Sequence, residues 1–407
     1  MIDETCEKKH CPEHKHKQAL IDKLLENNIS IAELATLSPL VNEKDLANIL
    51  QHIYDLNEKD ILSLAALTGL MAMFDNNKNN RRNDRFTKKI TKDFRDDPRN
   101  KVVLAEGDSW FNYPVILTDV IDALSMDKSL AVYSLAKGGD WLLNMLTGRK
   151  YVEELSVLHP DFFLISGGGN DIVGARRLAA IVQPLTAQNE YEKNPWAKKL
   201  KENADTRFIG FDDVKFRAGA AYLSKDFFAL LMFFHLQFFF LMNGILNGGR
   251  SGESKFPGIA ILTQGYDYPI PSTSKNFGWN PLKWYIPFVR LFLGHGTWLK
   301  IPLEIRGIYK SEIQRQVMYA MIFLFNEMMI ETGAALNKIK PGSVFHIDSR
   351  GSIGDDGWTD ELHAQPPHFI NTGKVFSFCI HDAEHQHKNA SYGHVYVVTD
   401  ILKKFKL

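Results

Sequence analysis

The sequence predicts an α/β protein, a three-layer sandwich on a doubly wound parallel sheet, with a helical N-terminal region and a large apolar helical insertion. Three observations carry this expectation. Beyond Asn100, short continuous apolar runs alternate with helical stretches, as strands do when helices cover both faces of a sheet. Short glycine- or acid-bearing segments follow several of those runs, where ligands bind in such sheets. Before Asn100 the texture is helical or polar, with no comparable strand runs.

Composition narrows the function classes. A chain of 407 residues has room for one large domain and a smaller companion. Its 48 basic and 48 acidic residues balance, so no global field draws it to nucleic acid or acidic lipid. Three cysteines, Cys6, Cys11 and Cys379, do not suggest a disulfide framework. No apolar run follows Met1 early enough for a secretory signal, so a cytoplasmic protein is the default expectation, with membrane association or export by a signal-independent route as alternatives.

Residues 1–75 read as a helical N-terminal region. Its first 18 residues are charged, and Cys6, His10, Cys11, His14 and His16 are spaced too irregularly for a standard zinc site, favouring a loose tail. Leu20, Leu24 and Leu25 then share a helical face, and a second helix starts near Ser30. Asn42 and Asn57 each stand just before acidic residues, so each reads as a cap on a helix start. Residues 76–100 are polar and basic-leaning, a linker or solvated helix; without aromatic interleaving, no nucleic-acid partner is expected.

The remaining domain, 101–407, contains five candidate strands: Val102–Ala105, Leu130–Leu135, Phe162–Ser166, Ile259–Thr263 and Val344–Ile347. Insertions are expected at about 175–256 and 272–310. Four segments beyond the strands supply the parts of an acyl-transfer enzyme. In Gly107-Asp108-Ser109-Trp110, Ser109 is the candidate nucleophile, on a tight turn expected to open into a helix. It lacks the Gly-x-Ser-x-Gly elbow of α/β-hydrolases, because Phe111 occupies the last position. In Asp360-Glu361-Leu362-His363, His363 is the candidate base and Asp360 the carboxylate that fixes its tautomer. His346, His368, His381, His385, His387 and His394 lack such a link to an acid and a strand end, and the group at 381–387 reads as a solvated tail. Gly139 offers an unobstructed backbone N–H and Asn170 a side-chain amide, which with the Ser109 amide make a three-donor oxyanion hole.

These segments resemble blocks I, II, III and V of the SGNH, or GDSL, hydrolases, over roughly residues 100–400. The family letters fall on Ser109, Gly139, Asn170 and His363, with Asp360 as the acid of the Asp-x-x-His block. The resemblance implies a flavodoxin-like sandwich, serine esterase, lipase or acetylesterase activity, and no metal or cofactor. Trp110 replaces the usual leucine, and Ala364 stands where proline is frequent. The gap between the third and last blocks is far longer than in compact members, so the substrate pocket cannot be inherited from them.

That gap contains Phe227–Leu246, almost wholly apolar and long enough to cross a bilayer. A single crossing would separate Asn170 from Asp360 and His363, so a span is not expected. Two readings stay open: a helix on a lipid surface or over the pocket, and a helix buried in an enlarged core. Aromatic residues between Trp279 and Trp298, beside Arg290 and Lys300, suit either. Gly265-Tyr266-Asp267-Tyr268-Pro269 reads as a structural turn or as extra polar contacts at the rim of the site. The expected function is hydrolysis of carboxylic esters, with an acyl chain as the favoured substrate; a carbohydrate acetylesterase is the enzyme alternative. A membrane-docking or partner-binding module on an inactive hydrolase fold is the alternative of another class.

Overall fold

The structure, a computed structural model, describes residues 12–26, 28–37, scattered positions from 40 to 52, 78–113, 118–174, 177–205, 211–248, 255–272, 298–386 and 394–406. Six strands, β1 (Lys101–Glu106), β2 (Leu130–Ser134), β3 (Phe162–Ile165), β4 (Ala260–Gln264), β5 (Val344–Asp348) and β6 (His394–Val397), form one sheet in the order β2-β1-β3-β4-β5-β6. All neighbouring pairs are parallel. Every residue of β1, β3, β4 and β5 is buried, as a sheet covered on both faces requires. The order is that of a doubly wound, flavodoxin-like sheet, which reverses direction between β1 and β3.

The five expected strands are present within a residue or two at each end. β6 was not expected. Its signal, His394-Val395-Tyr396-Val397, spans four residues behind a histidine-rich run that reads as a tail. That reading also fails at its start, because the helix Pro366–Gln386 continues through His381. His381 Nε2 lies 3.1 Å from Ser129 Oγ and 3.3 Å from Asp127 Oδ2, so this histidine does have an acid beside it.

At the N-terminus, helices Pro12–Leu25 and Ile31–Leu37 are formed, so the expected tail ends earlier than residue 18. Ser30 and Glu33 close a reciprocal cap, with Glu33 N donating to Ser30 Oγ at 3.3 Å and Ser30 N to Glu33 Oε2 at 2.9 Å. Asn42 and Asp45 do the same at 3.0 and 2.9 Å. Cys6, His10, Cys11 and the start at Asn57 lie outside the described residues. Leu20, Leu24, Ile29 and Leu34 join the same core as the sheet, so these helices are packed onto the α/β body.

The stretch expected as a linker is a docked helix. Residues 78–89 are helical, and the Arg82 side chain is 1 % exposed. Its guanidinium donates to Asp119 at 2.6 Å and to Asp122 at 2.9 Å. Lys78 Nζ reaches Asp119 Oδ2 at 2.6 Å, and Asn79 and Asn83 bond the backbone at Ala136 and Ser134, just past β2 and at its end. A polar sequence therefore marks a helix that docks through charge pairs and backbone bonds, with Phe86 adding an apolar contact to Val102, Ala131 and Tyr133.

The apolar run forms the helix Lys225–Asn247. Phe227 through Phe238 are all buried, between the Pro12–Leu25 helix and the 29-residue helix Ser311–Ile339. A helix apolar on all sides belongs inside a protein or a bilayer, and here neighbouring helices cover it. Residues 227–238 thus lie in the core, while Phe239 and Phe240 beyond them are half-buried. His235, in the middle of this helix, bonds Thr332 Oγ1 at 2.8 Å, and burial lowers its pKa to about 4, so it is neutral at physiological pH.

Candidate active site

Because all six strands run parallel, the loops after their carboxyl ends gather on one edge of the sheet. Ser109 follows β1 and Asn170 follows β3, the two neighbours at the reversal of strand order, where such sheets leave a crevice. Residues 266–269 follow β4, and Asp360 and His363 follow β5.

Ser109 sits on a single turn, not at the start of a helix. Phe111 N and Asn112 N both donate to Asp108 O, at 3.1 and 3.0 Å, and the next described helix begins at Val120. The buried Asp108 carboxylate organises this turn. It accepts from Trp110 N at 3.1 Å, from Ser166 Oγ at 3.0 Å and from the Tyr266 hydroxyl. Burial pushes the Asp108 carboxyl up, although those donors and His363 oppose it. The far end of the segment is held by Asp119, which accepts Tyr113 N at 3.0 Å along with Lys78 and Arg82. The docked 78–89 helix thus braces the loop that presents Ser109.

His363 Nε2 lies 2.8 Å from Ser109 Oγ, across 254 positions of sequence. Its Nδ1 lies 2.8 Å from Asp360 Oδ2 and 3.0 Å from Oδ1. Asp360 Oδ1 also accepts Leu362 N at 2.7 Å and His363 N at 2.9 Å, a local turn that sets the histidine opposite its own acid. Burial works to raise the Asp360 carboxyl, but the imidazole and these N–H donors outweigh it and hold it below the usual range. Tyr113, fully buried, donates its hydroxyl to Asp360 Oδ2 at 3.3 Å, and its ring lies 4.5 Å from the imidazole. No pattern in the sequence singled out Tyr113; its role depends on a contact 247 positions away.

Gly168 caps the short helix Gly169–Val173 at φ 94°, a left-handed conformation natural to glycine, and so aims Asn170 over the sheet edge. Asn170 Nδ2 donates to Asp140 O at 3.0 Å, and Leu142 N donates to Asp171 Oδ2 at 3.1 Å. These bonds knit the loops after β2 and β3 together. Burial raises the Asp171 carboxyl to about 6 against the pull of Arg177. Gly139 has φ 78° and open space around its Cβ position.

A pocket of about 470 Å³, counting its mouth, is lined by Ser109, Trp110, Asn170, Ile172, Tyr266, Asp267, Pro269, Met318, Ile322 and Leu362, among others. Ser109 and Asn170 therefore share one cavity, whereas Gly139 is not among its lining residues. The segment 265–269, left open between turn and rim, serves as both. Tyr266, Asp267 and Pro269 face the cavity, and Asp267 binds Gly351 N at 2.7 Å and Ile353 N at 2.6 Å. Most of the wall is apolar. Of the aromatic stretch from Trp279, only Trp298 belongs to the described residues.

The chain matches no protein-family model and no curated protein. Among solved structures it is similar to a chain from Parabacteroides merdae titled a "putative GDSL-like lipase". The two share 10% identity over 69% of this chain and 96% of that one, with a TM-score of 0.28, a likeness too slight to support any inference about activity.

Proposed function

We propose that this protein is a serine hydrolase of carboxylic esters, of the SGNH type, acting on esters with an acyl chain. The observation that carries the reading is the unbroken chain Asp360–His363–Ser109, with contacts of 2.8 Å on both sides of the imidazole. A buried, ionised carboxylate fixes the proton on Nδ1 and leaves Nε2 free to take the serine proton.

In this mechanism Ser109 Oγ attacks the ester carbonyl as its proton passes to His363 Nε2. The bond to the alkoxy oxygen then breaks, and His363 returns the proton to the departing alcohol. A water activated by the same nitrogen attacks the acyl-serine, and the acid leaves with Ser109 restored. The carbonyl oxygen becomes an oxyanion in both halves. One N–H of the Asn170 amide bonds Asp140, and the second is the donor assigned to that oxyanion, with the Ser109 and Gly139 amides.

The acyl assignment is supported by the lining. Trp110, Ile172, Val173, Pro269, Met318, Ile322 and Leu362 offer apolar contact and few polar groups, and apolar pockets bind apolar groups. The test is labelling by a fluorophosphonate probe. Wild type is expected to label and Ser109→Ala to remain folded and unlabelled. Persistent labelling of that variant rejects the nucleophile, and failure of the wild type to label rejects the hydrolase. Turnover of acetyl esters far above that of longer acyl esters would transfer the substrate assignment to an acetylesterase.

A further inference from the structure

The turn that carries Asp360 and His363 contains a second buried acid facing elsewhere. Glu361 is 2 % exposed, and its carboxylate touches neither the imidazole nor Ser109. It accepts four backbone N–H groups instead. Ser272 N and Lys300 N reach Oε1 at 2.9 and 3.0 Å, and Trp298 N and Leu299 N reach Oε2 at 3.1 and 3.2 Å. These donors come from the two flanks of the 273–297 segment, one following the 266–269 rim of the pocket.

We infer that Glu361 is a positioning residue for the reaction, an anionic clamp that fixes the 360–363 turn against the pocket rim and so sets His363 and Leu362. The inference rests on the hydrolase reading of the same site. Its logic is one of constraint. Asp360 holds the turn from within, through Leu362 N, His363 N and His363 Nδ1. Those bonds preserve the acid–base pair but do not locate it relative to Ser109, which belongs to a loop after a different strand. Among the described residues, the hydrogen bonds around the turn include Thr359 N to His363 O at 2.7 Å, Gln365 N to Gly357 O at 2.8 Å, Tyr113 to Asp360, and the Glu361 clamp. The first two lie within the same loop, whereas Tyr113 and Glu361 tie the turn itself to other parts of the fold, alongside the His363–Ser109 contact and the bonds of Gly351 and Ile353 to Asp267.

The acid is needed as an acid. Four N–H donors facing one side chain demand two acceptor oxygens, which a carboxylate supplies and an amide does not. Glutamine would turn an NH₂ group towards two of the donors. Aspartate is one methylene too short to reach them all. Burial raises the Glu361 carboxyl while the four donors oppose that rise.

The experiment uses the full chain with Glu361→Gln, and Asn337→Ala as a control for stability alone. Asn337 binds Val344 O at 2.8 Å and Ser343 N at 2.9 Å, at the end of β5 away from the pocket. Both variants are taken through thermal unfolding, the rate of fluorophosphonate labelling, and kcat and KM on a medium-chain p-nitrophenyl ester. Glu361→Gln is expected to label about 10²-fold more slowly, the scale of loss from a misplacement near 1 Å. That loss should appear in kcat with a smaller rise in KM, while Asn337→Ala loses stability but labels at the wild-type rate. Labelling of Glu361→Gln within twofold of wild type overturns the inference. So does an equal slowing in Asn337→Ala, which would make the effect one of general stability. A wild type that does not label refutes the hydrolase reading itself, a separate result.

Discussion

Replacing Asp360 by asparagine should be the most telling single change, because it alters which proton His363 holds while leaving the turn's shape intact. Asp360 Oδ1 accepts two backbone N–H groups, from Leu362 and His363. Asparagine keeps those bonds only with its carbonyl oxygen at the Oδ1 position. Its NH₂ group must then stand where Oδ2 faces His363 Nδ1 at 2.8 Å and the Tyr113 hydroxyl at 3.3 Å. An NH₂ group donates, so Nδ1 must present a lone pair, and the ring proton moves to Nε2. Nε2 is the atom 2.8 Å from Ser109 Oγ, and once protonated it accepts nothing from the serine. The same substitution in a serine protease triad lowers kcat by about 10⁴, which at 1.36 kcal/mol per decade corresponds to about 5.5 kcal/mol of transition-state stabilisation. The assay is kcat/KM on a chromogenic ester, with thermal unfolding as a check on folding. A folded Asp360→Asn variant retaining activity within tenfold of wild type would refute the tautomer argument.

Three further outcomes follow from the same contacts. Asn170→Ala should fold normally and lower kcat by about 10²–10³ with little change in KM, read by steady-state kinetics. Arg82→Ala takes one of two cations from the buried Asp119 carboxylate, which keeps Lys78 and Tyr113 N, and should cost about 1–3 kcal/mol in chemical denaturation. Glu106, buried at the end of β1, has its pKa raised from 4.5 to about 8, first by burial and then by the Asp140 charge. The folded state therefore holds this proton more tightly than the unfolded chain, so the stability linked to it is complete below about pH 4.5 and lost as pH rises to about 8. Glu106→Gln should accordingly leave stability at pH 4 nearly unchanged and raise it at pH 8.5 by a few kcal/mol, measured by denaturant unfolding at both pH values.

The correction at residues 78–89 shows where composition misleads. Polar, basic residues normally mark solvent, yet Arg82 is buried because its partners wait beyond the candidate nucleophile, Asp119 as the cap and Asp122 in the first turn of the helix Val120–Leu124. The apolar run at 227–246 misleads in the opposite sense. Its own residues fit a lipid surface as well as a core, and the choice belongs to the partner helix Ser311–Ile339, distant in sequence. Tyr113 and Glu361 were illegible for a related reason, since each acts through contacts made only after the loops converge.

The sequence by itself determined the local patterns: five of the six described strands, the helix start near Ser30, the cap at Asn42, and the residue types at Ser109, Asn170, Asp360 and His363. These are properties of near neighbours, where apolar periodicity and short polar spacings set conformation directly. Only the tertiary structure decided the 2.8 Å contact between Ser109 and His363, the pocket's apolar wall, and the burial of charged groups. Those depend on which segments of a 407-residue chain become neighbours, and that information is spread over every packed surface between them.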